Sequence, residues 1–145
     1  MERIKVSLLD DFAFSTMVKI RITDINYGGH VGNQVFLSLA HEARLQFLRH
    51  HGYSELNFAG SGLIMADAAI EFKRELFYGN EVKISVAATG FDRAGFDMVY
   101  LMEVKDGENW VMAGKVKTGM LCYNYSLKKR VPVPAEAFEK LNKIV

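Results

Sequence analysis

The chain has 145 residues, of which 50% are hydrophobic, 12% aromatic and 24% charged, and its formal net charge is +1. This length suits one domain, so we expect a single domain over residues 1–145. The aromatic content excludes a disordered or low-complexity chain. The balance of 18 basic against 17 acidic residues argues against general nucleic-acid binding, because no excess of positive charge is left to neutralise phosphates.

The cysteine content and the N-terminal residues bear on where the protein works. Cys122 is the single cysteine and therefore has no partner for an internal disulfide. The first residues mix charges closely with apolar side chains, unlike a signal peptide. Charged residues interrupt every apolar run before it reaches the roughly 18 residues of a membrane span. We expect a cytoplasmic protein without a membrane span.

The first half of the chain predicts one strand and one long helix. Alternating apolar and polar residues predict a strand from Thr16 to Thr23, and a glycine-containing turn follows at residues 24–30. Apolar residues at helical spacing then predict an amphipathic helix from Val31 to Arg49, which Gly52 ends. The apolar face of this helix comprises Val35, Phe36, Leu39, Ala40, Ala43, Phe47 and Leu48.

The second half predicts four consecutive strands and a short helix. A hairpin turn is indicated at Asp106-Gly107, and Pro132 and Pro134 end the sheet. A helix that opens just after a proline is expected from Ala135 to Lys143. The predicted strands run from Leu63 to Phe72, Glu81 to Thr89, Phe96 to Val104 and Trp110 to Tyr125.

This order of elements predicts an α+β fold. One strand, one long helix and four strands with short connections favour an antiparallel sheet that covers its apolar face with the helix. The expected architecture is a single curled sheet wrapped around one helix. Such a sheet has open edges, and the chain has more apolar side chains than one small domain hides. We therefore expect at least a dimer.

One segment carries a distinctive motif. From Arg21 to Leu48 the sequence resembles the signature of hot-dog-fold thioesterases of the 4-hydroxybenzoyl-CoA thioesterase-like branch. That signature is Asp-x-Asp-x-x-Gly-His-Val-Asn-Asn, followed by a helix that carries Glu-Ala-Arg. Residues 69–79 and 131–134 are also similar to the family. The signature positions here are Asp24, Asn26, Gly29, His30, Val31, Gly32 and Asn33, and then Glu42, Ala43 and Arg44.

The resemblance implies a hot-dog fold, a homodimer or homotetramer, and hydrolysis of an acyl-CoA thioester. No metal and no cofactor is expected, because CoA enters as part of the substrate. The acyl chain would lie between two subunits beside the central helix, with the CoA nucleotide on the surface. One position departs from the family: its second Asp, the nucleophile or general base, is Asn26 here. An amide has neither a basic nor a strongly nucleophilic oxygen and does not inherit that role.

The candidate catalytic residues follow from this departure. Asn26 is expected to position the thioester or a water, and Glu42 to act as general base. The alternative for Glu42 is an ion pair with Arg44 or with a neighbouring strand. The turn containing Gly29 and His30 is expected to present backbone N–H groups to the thioester oxygen, although it also serves as a tight connection. His30 orients a carboxylate or water, or serves the turn. Asp24 is expected to satisfy turn N–H groups, and Asp67 is a second-choice base.

The basic side chains are candidates for the CoA phosphates. Lys73 and Arg74 form one such pair, and Lys128, Lys129 and Arg130 form a second cluster. The alternative is that each is an ordinary solvated charge. The four histidines lack the spacing of a metal site, so no metal ligands are predicted.

Three functions stay open at this point. An acyl-CoA or acyl carrier protein thioesterase leads. A non-catalytic acyl-CoA or acyl-group binding protein is the alternative, in which the Asn26 departure marks lost chemistry. An enoyl-CoA hydratase-like enzyme fits less well, because the motif Asp-x-Asn-Pro-x-His requires a proline and a spacing that is one residue shorter than that from Asp24 to His30.

Overall fold

The computed structural model describes residues 1–142. It contains one antiparallel sheet with strands of different lengths, one long helix and one short helix. A 3-10 turn at Ile22–Asp24 joins the first strand to the long helix. The elements are β1 (Phe14–Lys19), α1 (Asn33–His50), β2 (Gly62–Phe72), β3 (Glu81–Thr89), β4 (Gly95–Asp106), β5 (Asn109–Asn124), β6 (Lys129–Arg130) and α2 (Ala135–Leu141).

The sheet has the strand order β1-β3-β4-β5-β2, with β6 added at the end of β5. Helix α1 packs its apolar face on one side of this sheet, here called the inner face. Burial is most complete where α1 meets the middle strands, for example at Leu48, Ile84 and Val116, each 0% exposed. This architecture confirms the predicted α+β fold, in which an antiparallel sheet covers one long helix.

The predicted end of the first strand is wrong. The alternation of apolar residues extends to Ile22, but β1 ends at Lys19. The Ile20 amide donates to the carbonyl of Asn80, and the carbonyl of Ile20 accepts from Gly79. These bonds place Ile20 opposite Asn80, one step beyond the Lys19–Glu81 pair of the β1–β3 ladder, and the chain then enters the 3-10 turn, where Ile22 is 69% exposed. The Asp24 carboxylate accepts the Arg21 amide, and this local turn ends the strand before the two-residue period of the sequence ends.

The other elements differ from expectation at their ends. Helix α1 begins at Asn33 rather than Val31, because the Val31 amide donates to the carbonyl of Leu76. Gly52 follows the helix with φ +82°, as expected of a helix stop. The β4–β5 hairpin is longer than predicted, and β6 was not predicted. The expected helical residue Lys143 lies outside the described residues.

The opposite side of the sheet, the outer face, is covered in part by the segment before β1. The Val6 amide donates to Glu71 Oε1 across 2.8 Å, although 65 residues separate them. Val6 is 5% exposed, and Val99, which lies between the inward-facing Met98 and Tyr100 on β4, is 3% exposed. The segment thus reaches back over the sheet as far as β2. Among residues 1–142 no helix is long and apolar enough to cross a membrane.

Candidate active site

The turn that leads into α1 is held by side chains of the motif. Asp24 Oδ2 accepts the Arg21 amide at 2.8 Å, and Asn26 Oδ1 accepts the Gly28 amide at 2.9 Å. The Asn26 amide donates to the carbonyl of His30, and Gly29 has φ +82°, a conformation that favours glycine. Asp24 therefore has the structural role expected of it, and the Asn26 carbonyl oxygen is used within the turn.

The same turn fixes the orientation of the His30 ring. His30 Nδ1 lies 3.1 Å from the carbonyl oxygen of Val31. A carbonyl oxygen accepts only, so Nδ1 carries the proton in this bond and the neutral ring has its lone pair on Nε2. His30 Nε2 lies 3.8 Å from Glu75 Oε1. The turn therefore presents a basic nitrogen beside a carboxylate.

Helix α1 begins without a side-chain cap. The residue before it is Gly32, whose amide donates to the carbonyl of Asp24 and whose carbonyl accepts the Val35 amide. The first turn of a helix has amide groups without intrahelical partners and the positive end of the helix dipole. No side chain makes a capping hydrogen bond here, although the side-chain amide of Gln34 lies beside Gly32. The unpaired amides of the first turn are therefore suited to a ligand oxygen.

A cavity of about 290 Å³ opens beside this helix start and is here called the α1-start cavity. The rings of Phe36 and Phe72 meet edge to face in its wall, with centroids 5.0 Å apart. Phe36 is buried, whereas Phe72 is 49% exposed, so an aromatic surface is left open. The lining residues are His30, Val31, Asn33, Phe36, Phe72, Lys73, Arg74 and Glu75.

Both predicted CoA-binding cations at the end of β2 line this cavity, and each has an acidic partner. Lys73 Nζ lies 2.7 Å from Glu71 Oε2, and an Arg74 guanidinium nitrogen lies 3.1 Å from Asp106 Oδ2. Lys73, and secondly the Val6 amide, holds the pKa of the Glu71 carboxyl below its usual range. Lys73 and Arg74 are therefore placed for an anionic ligand that competes with these carboxylates.

The second cationic cluster lies at the other end of the sheet. Phe72 on β2 faces Gly114 of β5, whereas Arg130 on β6 faces Tyr123 of β5. Gly114 and Tyr123 are nine residues apart on β5, which corresponds to about 30 Å of extended strand. Lys128 and Lys129 flank the same exposed turn as Arg130. One CoA nucleotide does not reach both clusters within a single protomer.

Glu42 and Asp24 line a different cavity, of about 450 Å³, between α1 and β1. Glu42 is exposed, and its Oε2 accepts the Gln46 side-chain amide at 2.8 Å. Gln46 in turn accepts the hydroxyl of Thr16. Glu42 therefore pairs with Gln46, which connects it to Thr16 on the neighbouring strand β1, and not with Arg44. This β1-side cavity shares no lining residue with the α1-start cavity.

Helix geometry explains why the predicted catalytic residues divide between two places. Phe36 and Glu42 are six residues apart, which places their side chains about 120° apart around the helix. Phe36 lines the α1-start cavity together with His30, whereas Glu42 lines the β1-side cavity. Asn26 lines neither cavity. The structure does not bring Asn26 and Glu42 together around one cavity.

Asp67, the second-choice base, lies at neither cavity. Its Oδ1 is 2.7 Å from Lys117 Nζ and 3.0 Å from the Gly119 amide nitrogen. The hydrogen bond from Lys117 holds the pKa of Asp67 below its usual range. A carboxyl with a lowered pKa is a weaker base, so its surroundings do not favour this role.

Two lining residues of the site and one buried charge outside it were not predicted from the sequence. Phe72 and Glu75 flank the expected Lys73 and Arg74, but nothing in their spacing identified them as lining residues. The third is Arg44, which is 4% exposed inside the core. Its guanidinium lies 3.5 Å from Glu55, and Glu55 contacts His41 at 2.7 Å. The Glu-Ala-Arg motif was the one signal that pointed to Arg44.

The family model described as the thioesterase-like superfamily matches residues 20–141. The chain belongs to the thioesterase-like superfamily. Membership confirms the predicted resemblance to hot-dog thioesterases and the predicted class of thioester hydrolase. The superfamily match spans the turn, helix α1 and every strand from β2 to β6.

Individual relatives of this thioesterase-like protein agree with the family. A 1,4-dihydroxy-2-naphthoyl-CoA hydrolase from Microcystis aeruginosa is 27% identical over 118 residues, which are 79% of this chain and 83% of that protein. A thioesterase-superfamily structure from Jannaschia sp. CCS1 has a TM-score of 0.80 at 17% identity and covers 90% of this chain and 82% of the other. A 1,4-dihydroxy-2-naphthoyl-CoA thioesterase from Synechocystis has a TM-score of 0.75 at 21% identity, with coverages of 88% and 93%. These likenesses confirm the hot-dog fold.

Proposed function

We propose that the protein hydrolyses aromatic acyl-CoA thioesters in the α1-start cavity and acts as a homodimer. The observation that carries this proposal is the meeting of four features at one place. They are an uncapped helix start, an open pair of aromatic rings, a histidine with a fixed basic nitrogen and two cations.

The aromatic part of the proposal rests on Phe36 and Phe72. Edge-to-face and offset contacts with such rings favour a flat aromatic group over a flexible chain. Phe72 leaves about half of its surface open for this contact. The naphthoyl-CoA substrates in the names of the relatives belong to the same class.

The start of α1 is proposed to stabilise the oxyanion. Negative charge develops on the thioester carbonyl oxygen when water adds to the carbon. Amide groups of Asn33 and Gln34 in the first turn, together with the helix dipole, favour that charge at the transition state more than in the ground state. Gly32 supports this role because no side chain makes a capping hydrogen bond to these amides, although the Gln34 side chain lies beside Gly32.

His30 is proposed as the general base. Its Nε2 accepts a proton from a water molecule while the water oxygen bonds to the thioester carbon. The C–S bond of the resulting adduct then breaks, and the sulfur leaves as the CoA thiol with the proton returned from the imidazolium. Glu75, 3.8 Å from Nε2, stabilises the charged ring between these two transfers.

Lys73 and Arg74 are proposed to hold the CoA phosphates. Phosphate contacts far from the thioester bind the ground state and the transition state alike, so they act mainly on KM. The assignment of Lys128 and Arg130 to the same nucleotide requires a contribution from a second protomer.

The homodimer is proposed to form at the free edge of β2. This strand has 11 residues and pairs with β5 on one side only within the described chain. Met65 is 43% exposed, and the following residues through Ala68 are also exposed. A long exposed edge strand with small and apolar side chains is a ready template for a second strand. The α1-start cavity lies at the end of this same strand.

Thiol release from benzoyl-CoA, 1-naphthoyl-CoA and hexanoyl-CoA tests the proposal. We expect turnover of the aromatic thioesters and a loss of roughly 100- to 10,000-fold in kcat for His30→Gln. Glu42→Gln and the matched helix variant His41→Gln should lose little. Binding of acyl-CoA without thiol release would instead identify a non-catalytic binding protein. Loss of activity in Glu42→Gln alone would reinstate Glu42 as the base.

Two expectations from the sequence stay predictions. One is the cytoplasmic location, which fits a single buried thiol at Cys122. The other is hydrolysis without a metal cofactor. Dialysis against a chelator, with thiol release from 1-naphthoyl-CoA measured before and after, checks the second.

A further inference from the structure

A second cavity, here called the α1-end cavity, lies at the opposite end of the central helix and has a volume of about 220 Å³. Phe36 lines the α1-start cavity and His50 lines this one. The 14 residues between them correspond to about 21 Å along the helix. The lining residues are Leu9, Asp11, Ala13, Phe14, Phe47, His50, His51, Val86, Ala87, Ala88, Lys140 and Leu141.

Four of the twelve residues that line this cavity carry aromatic rings. Phe14 meets Phe47 edge to face at 5.6 Å between centroids, and it meets the ring of His50 at 5.3 Å. The rings of His50 and His51 are 5.1 Å apart. Aliphatic side chains of β3 and of the segment before β1 complete the enclosure. Such a set of rings favours a flat aromatic ligand through edge-to-face contact.

The polar residues of the cavity include more hydrogen-bond donors than carboxylates. His50, His51 and Lys140 line it, against the one acidic residue Asp11. Lys140 is held in place: its Nζ lies 3.4 Å from the carbonyl oxygen of His51 and 4.9 Å from the centroid of the Tyr53 ring.

The negative end of the helix dipole is weakened at this place. The last carbonyl oxygens of α1 accept hydrogen bonds from backbone amides. The Leu48 oxygen accepts from His51 and Tyr53, and the Arg49 oxygen accepts from Gly52. A ligand carboxylate therefore does not face a row of unpaired carbonyl oxygens at the end of the helix.

We propose that the α1-end cavity binds a small aromatic carboxylic acid. The ring of the acid lies among Phe14, Phe47 and the β3 side chains, and its carboxylate faces His50 and Lys140. This site does not depend on the proposed hydrolysis, although the acid released by that reaction belongs to the same chemical class. The enclosed volume restricts the ligand to one or two fused rings.

Calorimetric titration of the full chain with 1-naphthoate tests the proposal. We expect saturable binding, with the neutral analogue 1-naphthalenemethanol binding at least tenfold more weakly. Ala13→Phe fills the cavity from the exposed segment before β1 and should weaken naphthoate binding at least tenfold. Ser7→Phe adds the same ring to the same segment away from the cavity and should have no effect. His50→Gln combined with Lys140→Gln should remove the preference for the acid.

A variant of the other cavity separates the two sites. Phe72→Ala removes the open ring of the α1-start cavity and should leave 1-naphthoate binding at the α1-end cavity unchanged. Binding that survives Ala13→Phe but is lost in Phe72→Ala would place the acid in the proposed active site and overturn the inference. Absence of saturable binding, or equal affinity for the acid and the alcohol, would also overturn it. Thiol release by the wild type decides the proposed function separately.

Discussion

The guanidinium of Arg44 donates a hydrogen bond to the hydroxyl of Tyr100 across 3.2 Å, inside the core between α1 and β4. The Tyr100 hydroxyl is also 2.7 Å from the hydroxyl of Thr118 on β5. On the other side, Arg44 reaches Glu55 in the loop after the helix. Burial, partly opposed by Arg44, raises the pKa of the Tyr100 hydroxyl, so it stays a neutral donor. One buried cation thus links the helix, two strands and a loop.

The effect of an Arg44 substitution on stability should depend on the residue that replaces it. Arg44→Ala leaves a cavity and removes the buried partner of Glu55 and Tyr100, so we expect the free energy of unfolding to fall by about 2–4 kcal/mol. Arg44→Met keeps most of the side-chain volume but removes the charge. It should lower the free energy of unfolding by less than half as much as Arg44→Ala does. Urea unfolding measures both. Equal losses for the two variants would contradict the account of Arg44 as a buried charge whose volume matters.

Removal of the cations at the α1-start cavity should raise KM for acyl-CoA. Lys73→Ala with Arg74→Ala removes two phosphate partners, so KM should rise about tenfold or more while kcat changes little. Lys128→Ala with Arg130→Ala is the matched control at the other end of the sheet. An unchanged KM for the first pair, or a larger rise for the control pair, would move the nucleotide to the second cluster.

Asn26→Asp tests the departure from the family motif. The aspartate keeps an oxygen for the Gly28 amide, which is 2.9 Å from Asn26 Oδ1, so the turn should persist with thermal stability unchanged or slightly higher. A carboxylate in the turn before α1 repels the oxyanion proposed there, and kcat should fall. Steady-state thiol release measures this effect. A rise in kcat would mean that the introduced acid takes over the catalytic role it has in the relatives.

The stability of the protein should decrease at high pH through Tyr53. Burial, followed by the hydrogen bond to Glu136 and its charge, raises the pKa of Tyr53 from 10.0 to about 12. The folded state then holds a proton that the unfolded state releases, so this contribution is present below pH 10 and is lost as the pH rises towards 12.

Urea unfolding of the wild type and Tyr53→Phe between pH 8 and pH 11.5 measures this contribution. The wild type should lose about 1–2 kcal/mol relative to the variant across this range. A constant difference between the two proteins would show that Tyr53 does not titrate differently on unfolding.

Local patterns predicted the elements better than their ends. The alternation in β3 identified Glu81 to Thr89 correctly, because this strand is inside the sheet and one face is fully buried. The same reasoning placed the end of β1 too late. Ile20 is still opposite Asn80 in register with β3, but the 3-10 turn at Ile22–Asp24 ends the strand, and the apolar alternation through Ile22 does not reveal that turn. The buried position of Arg44 was missed because its partners Tyr100 and Glu55 come from distant segments.

The motif predicted the turn and the cations of the site but not their grouping. Asp24 and Lys73 were found from the sequence, yet they line different cavities. Which flank of α1 a side chain occupies follows from helix geometry, but which flank borders β2 follows only from the strand order. Within one protomer Asn26 and Glu42 do not line a common cavity, and their pairing in an active site between two subunits stays a prediction.

The strand order has a consequence for the synthesis of the chain. β1 pairs with β3, and β2 pairs with β5, so each is made well before its partner. At about 5–20 residues per second, several seconds pass between synthesis of β2 and completion of β5. During that interval the sheet that covers the apolar face of α1 is incomplete, because β4 and β5 are still being made. We therefore expect the yield of folded protein to depend on how the nascent chain is protected over residues 33–124, more than on the stability of the finished fold.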